Sequence, residues 1–240
     1  VIGIVAVSHS RPLAEAAVDL ALRMGGDEPP TVRVAAGGPD GDLGTDAAAI
    51  AAAIDAADSG DGVLVLMDLG SALLSAEMAL EFADAPERVT LSPAPFVEGL
   101  VSAVVTAAGG ATLAGVAAEV AGAAEAKRTQ LGTPDAVASV PTPATAPTAD
   151  LAFETTVVNP SGLHARPAAT FVKAASRYDA DVQIADLDSE SPPVSARSLL
   201  ALMALGIRKG ARVRVSASGP QAPEALDELR ALIDDGFGEV

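Results

Sequence analysis

The chain has 240 residues, with 15 Lys and Arg against 32 Asp and Glu for a formal net charge of −17, and it contains no Cys, no Trp, one Tyr and two His. So acidic a balance argues against nucleic acid or an anionic membrane as a general partner, because phosphate binding needs clustered cations. The absence of Cys excludes disulfides, thiolate metal sites and thiol nucleophiles, and two imidazoles are too few for a zinc site built from His. Chemistry near neutral pH is left to carboxylates, hydroxyls, lysines and the two histidines, the one side chain whose unperturbed pKa lies in that range.

Charge divides the chain. Residues 1–126 carry 4 basic and 18 acidic groups, residues 127–150 carry 2 of each, and residues 151–240 carry 9 and 12. Between Gly132 and Asp150 the sequence is GTPDAVASVPTPATAPTAD, with Pro134, Pro141, Pro143 and Pro147 among Ala, Thr and Val. Such a composition has little apolar surface to offset ordering and favours extended conformations. The expected organisation is an N-terminal domain over 1–126, a linker over 127–150 and a C-terminal domain over 151–240; a long loop inside one domain is the alternative.

Val1–Val7 and Gly62–Met67 are short, unbroken apolar runs expected of strands buried on both faces, with Thr31–Ala36 and Arg88–Ser92 weaker strands of the same kind. Helices are expected over Pro12–Met24, Asp46–Ala57, Ala72–Phe82 and Phe96–Ala108. Alternating strands and helices imply a doubly wound, mostly parallel sheet with its ligands at the carboxyl ends of the strands. The uncharged run Gly99–Ala118 is long enough to span a bilayer, but it is Ala- and Gly-rich and broken at Gly109 and Gly110. Two short buried helices fit it better. No secretory signal precedes the first strand, so a soluble cytoplasmic protein without membrane insertion is expected.

His9 follows the first strand and Asp68 the third. If those strands are neighbours, carboxylate and imidazole meet: the carboxylate fixes the tautomer, leaves the other ring nitrogen as a nucleophile and stabilises the positive ring formed on phosphorylation. A His beside a helix-capping Asp is the plainer alternative. Ser8 and Ser10 flank His9. The loop Gly37–Asp46 contributes Gly38 and Thr45, with Thr45 or Asp46 as a helix cap, and Gly70 and Ser71 open the helix after Asp68. These are the candidate phosphate-loop residues.

The stretches VSHS, AGGPDGDLGTDAAAI, VLVLMDLGSALLSAEMALE and APFVEGLVSA together resemble the phosphotransfer subunits of phosphoenolpyruvate-dependent dihydroxyacetone kinases, the DhaM proteins. Those proteins are similar to the mannose-type IIA domain of the bacterial phosphotransferase system, a doubly wound domain that dimerises. The segment MDLGSALLSAE favours DhaM over other mannose-type domains.

In the C-terminal part, Phe153–Asn159 reads as a strand leading into PSGLHARPAATFVKAASRY, where His164 and Arg166 open a helix with Ala168, Phe171, Val172 and Ala175 on its apolar face. Pro167 is tolerated in a first turn, whose N–H groups and positive dipole end favour a phosphate on His164, with Arg166 able to supply charge-assisted hydrogen bonds. A simple helix cap is the alternative for a lone His in that position. Strands near Asp181–Ala185 and Arg212–Gly219 and a helix near Pro223–Asp234 follow.

NPSGLHARPA and SARSLLALMALGIRKG resemble HPr, the histidine phosphocarrier of the same system, over residues 151–240. The resemblance implies an α+β open-faced sandwich of four antiparallel strands under three helices, with His164 as the phosphorylated histidine and Arg166 as the active-site arginine. Ser198 falls where some HPr proteins carry a regulatory serine, but the plainer reading, a cap for the second helix, is preferred, because no sequence feature marks it for a kinase. Arg197, Arg208, Lys209, Arg212 and Arg214 make the domain locally basic and suited to acidic partner surfaces, the first domain included.

The resemblances imply a phosphohistidine relay. Phosphoenolpyruvate supplies enzyme I, which passes the phosphoryl group to His164, and His164 passes it to His9. His9 then delivers it to ADP, with Mg, on the nucleotide-binding kinase subunit (DhaL), and the ATP formed phosphorylates dihydroxyacetone on the substrate-binding subunit (DhaK). No cofactor binds this chain directly in that scheme. With no enzyme I domain up to residue 240, a separate donor is expected, as is a homodimer through the N-terminal domain. The alternatives are a mannose-type IIA–HPr fusion serving a sugar permease and a regulatory protein read through its phosphorylation state. The two families imply different phosphorylated ring nitrogens at the two histidines.

Overall fold

The computed structural model describes residues 1–130, 151–160, 162–189 and 191–239, and the chain divides into compact units at Val1–Ala124 and Glu125–Val240. The Pro-rich part of the expected linker lies outside the described residues. Its first residues, Lys127–Gln130, are helical, within α6 (Ala123–Gln130). The segment AAEAKRTQ is made of good helix formers, and no Pro or Gly interrupts it before Gly132.

In the first unit, β1 (Gly3–Ser8), β2 (Val32–Ala36), β3 (Val63–Met67) and β4 (Val89–Ser92) form a wholly parallel sheet in the order β2-β1-β3-β4. Each apolar run predicted as a strand is one. Between them lie α1 (Arg11–Gly25), α2 (Ala47–Ala57) and α3 (Gly70–Ala79), and α4 (Phe96–Ala108) and α5 (Leu113–Ala121) follow β4. The bilayer-length apolar run resolves into α4 and α5, broken at the glycine pair, and no helix among the described residues is long and apolar enough to cross a membrane.

Helices cover both faces. Val5, Val7, Val63 and Val65 pack under α2 and α3, while Ile4, Leu64 and Leu66 are fully buried on the opposite side with α1 and α4. Each such aliphatic side chain contributes about 1.5–3 kcal/mol of transfer free energy. The close seat of α4 on the sheet needs a glycine: a Cβ on Gly99 would stand 2.6 Å from Leu66 Cδ2. After β1 the chain turns to β2 on one side and then crosses to β3 on the other. The strand order therefore reverses between β1 and β3, where an open α/β sheet leaves a crevice.

In the second unit, β5 (Leu151–Thr156), β6 (Asp181–Asp186), β7 (Val194–Ser195) and β8 (Arg212–Ser218) form an antiparallel sheet in the order β5-β8-β6-β7. Strand β7, of only two residues, has no pattern by which to announce itself. Helices α7 (Ala165–Ser176), α8 (Leu199–Ala204) and α9 (Ala222–Asp234) pack over the sheet, and alternation along β8 sends Val213, Val215 and Ala217 inward and Arg212 and Arg214 outward. The fully buried Phe171, Ile184, Leu199, Leu202 and Leu229 fill the layer between. This is the open-faced sandwich expected of residues 151–240.

Candidate functional site

The parallel register pairs Val7 with Met67, so the residues that follow, Ser8–His9 and Asp68, emerge side by side at the strand-order reversal. Asp68 is the centre of this site. Its Oδ2 accepts from the Ser8 hydroxyl at 2.8 Å and from the His9 backbone N–H at 2.9 Å, and its Oδ1 accepts from the Leu69 N–H at 2.7 Å and faces His9 Nδ1 at 2.9 Å. Burial alone would raise this carboxyl, but the hydrogen bonds from the His9 ring, the His9 N–H, Ser8 and Leu69 outweigh it and hold its pKa below the ordinary 3.8. Ionised at neutral pH, it can only accept, so Nδ1 carries the proton and Nε2 the lone pair.

The Ser71 hydroxyl lies 2.6 Å from Nε2 and donates to that lone pair. Ser71 stands there because Gly70 and Ser71 open α3, as expected; the helix ends at Ala79 rather than running to Phe82. The side chain of His9 is 22% exposed and that of Asp68 8%, so the fixed edge of the ring is inside and the nucleophilic edge faces out. Leu43 and Leu69, next in sequence to Gly44 and Asp68, are exposed.

Of the other candidates, Ser8 is fully buried and works on Asp68 while its Oγ accepts from the Ser10 N–H at 3.1 Å. Ser10 precedes α1 without a side-chain cap. Thr45 does not cap α2: Asp46 does, accepting from Ala48 and Ala49, while the Thr45 hydroxyl meets Ser75 Oγ at 2.7 Å. The loop is tied to the site through Gly44, whose N–H bonds the His9 carbonyl at 3.1 Å, whereas the Gly38 N–H is committed to Asp42 within the loop. Ser75, on the turn of α3 after Ser71, carried no signal in the sequence.

In the second unit His164 is the N-cap residue of α7, its side chain making no capping bond, and Arg166 lies exposed in the first turn. The preceding loop is held by Gly162, at φ +69°, where a Cβ would sit 2.2 Å from the Ile207 carbonyl oxygen. Buried Asn159 donates through Nδ2 to the Gly162 carbonyl. The ring of His164, 41% exposed, places Nε2 3.2 Å from the carboxylate of Glu239. Neither Asn159 nor Glu239 was singled out in the sequence.

Ser198 caps α8, its Oγ accepting from the Ala201 N–H at 3.0 Å. Two of the five basic residues assigned to partner surfaces have work inside the fold: Arg197 donates to the Tyr178 and Ala180 carbonyls, and Arg212 pairs with Asp188. Among the described residues no group of three or more His, Cys, Asp or Glu is arranged to hold a metal.

Residues 3–117 match the family model EIIA-man, described as PTS system fructose IIA component, and residues 151–235 match PTS-HPr, described as PTS HPr component phosphorylation site. The chain is 39% identical to the PEP-dependent dihydroxyacetone kinase phosphoryl donor subunit DhaM of Escherichia coli K12, over 99% of this chain and 51% of that protein. The Pantoea ananatis protein of the same name is 40% identical over 99% of this chain and 51% of its own length. The phosphocarrier protein HPr of Vibrio cholerae is 50% identical over 31% of this chain and 84% of the carrier. The chain spans about half the length of the curated DhaM relatives it matches. With a mannose-type IIA domain followed by an HPr domain, and similarity to the DhaM proteins along nearly its whole length, the chain belongs to the DhaM family of phosphotransferase-system proteins.

Proposed function

We propose that this chain relays phosphoryl groups through two phosphohistidines, accepting them on His164 and passing them to His9. The observation that carries this reading is the arrangement at His9. A buried, ionised Asp68 holds Nδ1–H and turns the lone pair of Nε2 outward beside a hydroxyl. The arrangement suits in-line attack on phosphorus and offsets the positive charge of the phosphorylated ring.

In the transfer to His9, the Nε2 lone pair forms a bond to phosphorus as the P–N bond to His164 breaks, its electron pair returning to the His164 ring. One N–P bond replaces another, so positioning and charge neutralisation account for the catalysis. Arg166 and the N-terminal dipole of α7 stabilise the phosphoryl group at His164, and Ser71, with the first N–H groups of α3, does so at His9. Carrying donor and acceptor on one chain raises their effective concentration to roughly the millimolar range for a flexible link.

The onward acceptor is ADP with Mg on a dihydroxyacetone kinase nucleotide-binding subunit, and the kinase's substrate-binding subunit consumes the ATP formed. The similarity to DhaM proteins along the chain supports this choice over a sugar permease. The phosphoryl donor is an enzyme I-type phosphohistidine charged from phosphoenolpyruvate. The DhaM relatives are about twice the length of this chain, so that donor is specified by its chemistry and not by the chain's end at residue 240. Association of two chains through the N-terminal domain belongs to the same proposal and is measurable by sedimentation.

The decisive experiment charges the full chain with enzyme I and labelled phosphoenolpyruvate, then adds the ADP-loaded kinase subunit. Label should pass to ATP. His164→Ala should abolish labelling of the whole chain, and His9→Ala should leave the second domain labelled but block ATP formation. Labelling of His9 at an undiminished rate in His164→Ala would overturn the order, and label that never left the wild-type chain would overturn the relay.

A further inference from the structure

The segment that follows α9 has a backbone found nowhere else among the described residues. Gly236, Phe237 and Gly238 have φ values of 61°, 57° and 72°, and Phe237 is the one described non-glycine residue with a positive φ. A bulky side chain in the left-handed region costs on the order of 1–3 kcal/mol and persists only where the surroundings enforce it. The enforcement comes from α7: the Phe237 ring packs on the buried Phe171 ring, centroids 6.5 Å apart and planes tilted by 57°. The turn so formed carries Glu239 back to His164, 75 residues earlier in the chain.

The carboxylate of Glu239 lies 3.2 Å from Nε2 and is also 3.5 Å from the Asn159 amide nitrogen, which simultaneously donates to the Gly162 carbonyl. The glutamate is 21% exposed against 41% for the histidine, so it forms the inner wall of the pair. An ionised carboxylate offers Nε2 only an acceptor. The opposite nitrogen, Nδ1, has no hydrogen-bond partner among the described residues.

We propose that Glu239, delivered by the Gly236–Gly238 hook, is the positioning residue of the carrier site, holding Nε2–H so that the lone pair and the accepting role fall to Nδ1. The proposal rests on the relay reading of His164. In the step it serves, the Nδ1 lone pair forms the new N–P bond, the donor's P–N bond breaks and its electron pair stays with the donor imidazole. The Nε2 proton remains on the ring against Glu239, so no proton transfer has to accompany phosphoryl transfer. The second unit thereby mirrors the first: Asp68 holds Nδ1 of His9 and frees Nε2, whereas Glu239 holds Nε2 of His164 and frees Nδ1.

The test uses the full chain, ¹⁵N-labelled, with long-range ¹H–¹⁵N correlation to read the neutral tautomer of His164 and the nitrogen that bears phosphorus after charging by enzyme I. Wild type should show the Nε2–H tautomer and phosphorus on Nδ1. Glu239→Ala should admit the second tautomer and slow charging roughly tenfold, about the worth of one partly exposed charge-assisted hydrogen bond. Glu239→Gln, which keeps an acceptor oxygen, should fall between them. Phe237→Ala leaves the carboxylate but removes the ring that seats the hook, and should reproduce Glu239→Ala; unchanged backbone amide shifts in the strands of the second unit verify that the variants are folded. Phosphorus on Nε2 in wild type, or identical tautomers and charging rates in wild type and Glu239→Ala, would overturn the proposal. Normal behaviour of Phe237→Ala would overturn the role of the hook. If wild type accepts no phosphoryl group, the relay fails instead, and the tautomer measurement, which needs no donor, still decides whether Glu239 sets the ring.

Discussion

The hydroxyl of Ser71 stands 2.6 Å from Nε2 of His9, opposite the ring edge that Asp68 holds. In the proposed relay it occupies the place an incoming phosphoryl group approaches, so it would release the nitrogen and turn its proton to a phosphoryl oxygen. Ser71→Ala should therefore leave the His9–Asp68 pair intact but slow transfer from His164 to His9 by roughly three- to tenfold, the effect of one neutral hydrogen bond. Single-turnover transfer of label between the domains measures it, and an unchanged rate would remove Ser71 from the site.

Asp68→Asn keeps the shape of the side chain but turns an acceptor of four hydrogen bonds into a group that is half donor. Its NH₂ then faces two of the N–H and O–H groups that now point at Asp68. The tautomer is no longer enforced and the phosphorylated ring loses its counter-charge. Phosphorylation of His9 should fall by a factor on the order of 10² or more, while His164 still charges at the wild-type rate. Equal losses at both histidines would instead mean general damage to the protein.

Both candidate histidines drew notice in the sequence for a local reason: His9 follows an unbroken apolar strand, and His164 precedes a proline-marked helix start. Asp68 was legible because the topology implied by alternating strands and helices brings the ends of β1 and β3 together. What could not be read are contacts made by distant chain. Glu239 reaches His164 across 75 residues through a turn whose left-handed backbone at Phe237 no residue preference announces. Ser75 meets Thr45 only because α2 and α3 pack side by side. Nor does composition mark where α6 stops, because Lys127 and Arg128 suit a helix end as well as a solvated linker.

Acid should unfold the chain through three carboxyls held below the ordinary 3.8. Asp58 is lowered by its hydrogen bond from Arg88, Asp68 by hydrogen bonds that outweigh burial, and Asp188 by the Arg212 backbone N–H and guanidinium. A carboxyl with a depressed folded-state pKa stabilises fully above its unfolded value and loses that contribution as pH falls through the folded value. Thermal midpoints should hold steady down to about pH 4 and then drop. In Asp58→Asn the midpoint should start lower and drop less. A steady loss of stability beginning near neutral pH would contradict this assignment.

Ser198 serves the fold as an N-cap. Ser198→Ala should destabilise the second unit by about 1 kcal/mol, whereas Ser198→Asp, which keeps an acceptor for the Ala201 N–H and places a negative charge at the start of α8, should cost much less. Urea unfolding of the full chain separates the two variants through their midpoints. Equal losses in both would show that the hydroxyl matters for something other than the cap.

Tyr178 is the single tyrosine of the chain, so its ionisation can be followed by absorbance without interference. Its hydroxyl donates to Glu228, which also pairs with Arg177, and that hydrogen bond, reinforced by burial and the nearby negative charge, raises the phenol above 10.0. The neutral phenol is the form that the fold favours. Its contribution to stability is complete below the unfolded value and disappears as pH rises through the raised folded value. Titration of the intact chain should show a midpoint above 10.0, and Glu228→Gln, by removing the charge, should bring it down. A midpoint at the ordinary value in wild type would mean that the α9 carboxylate does not hold the phenol at the end of α7, and an unmoved midpoint in Glu228→Gln would assign the shift to burial.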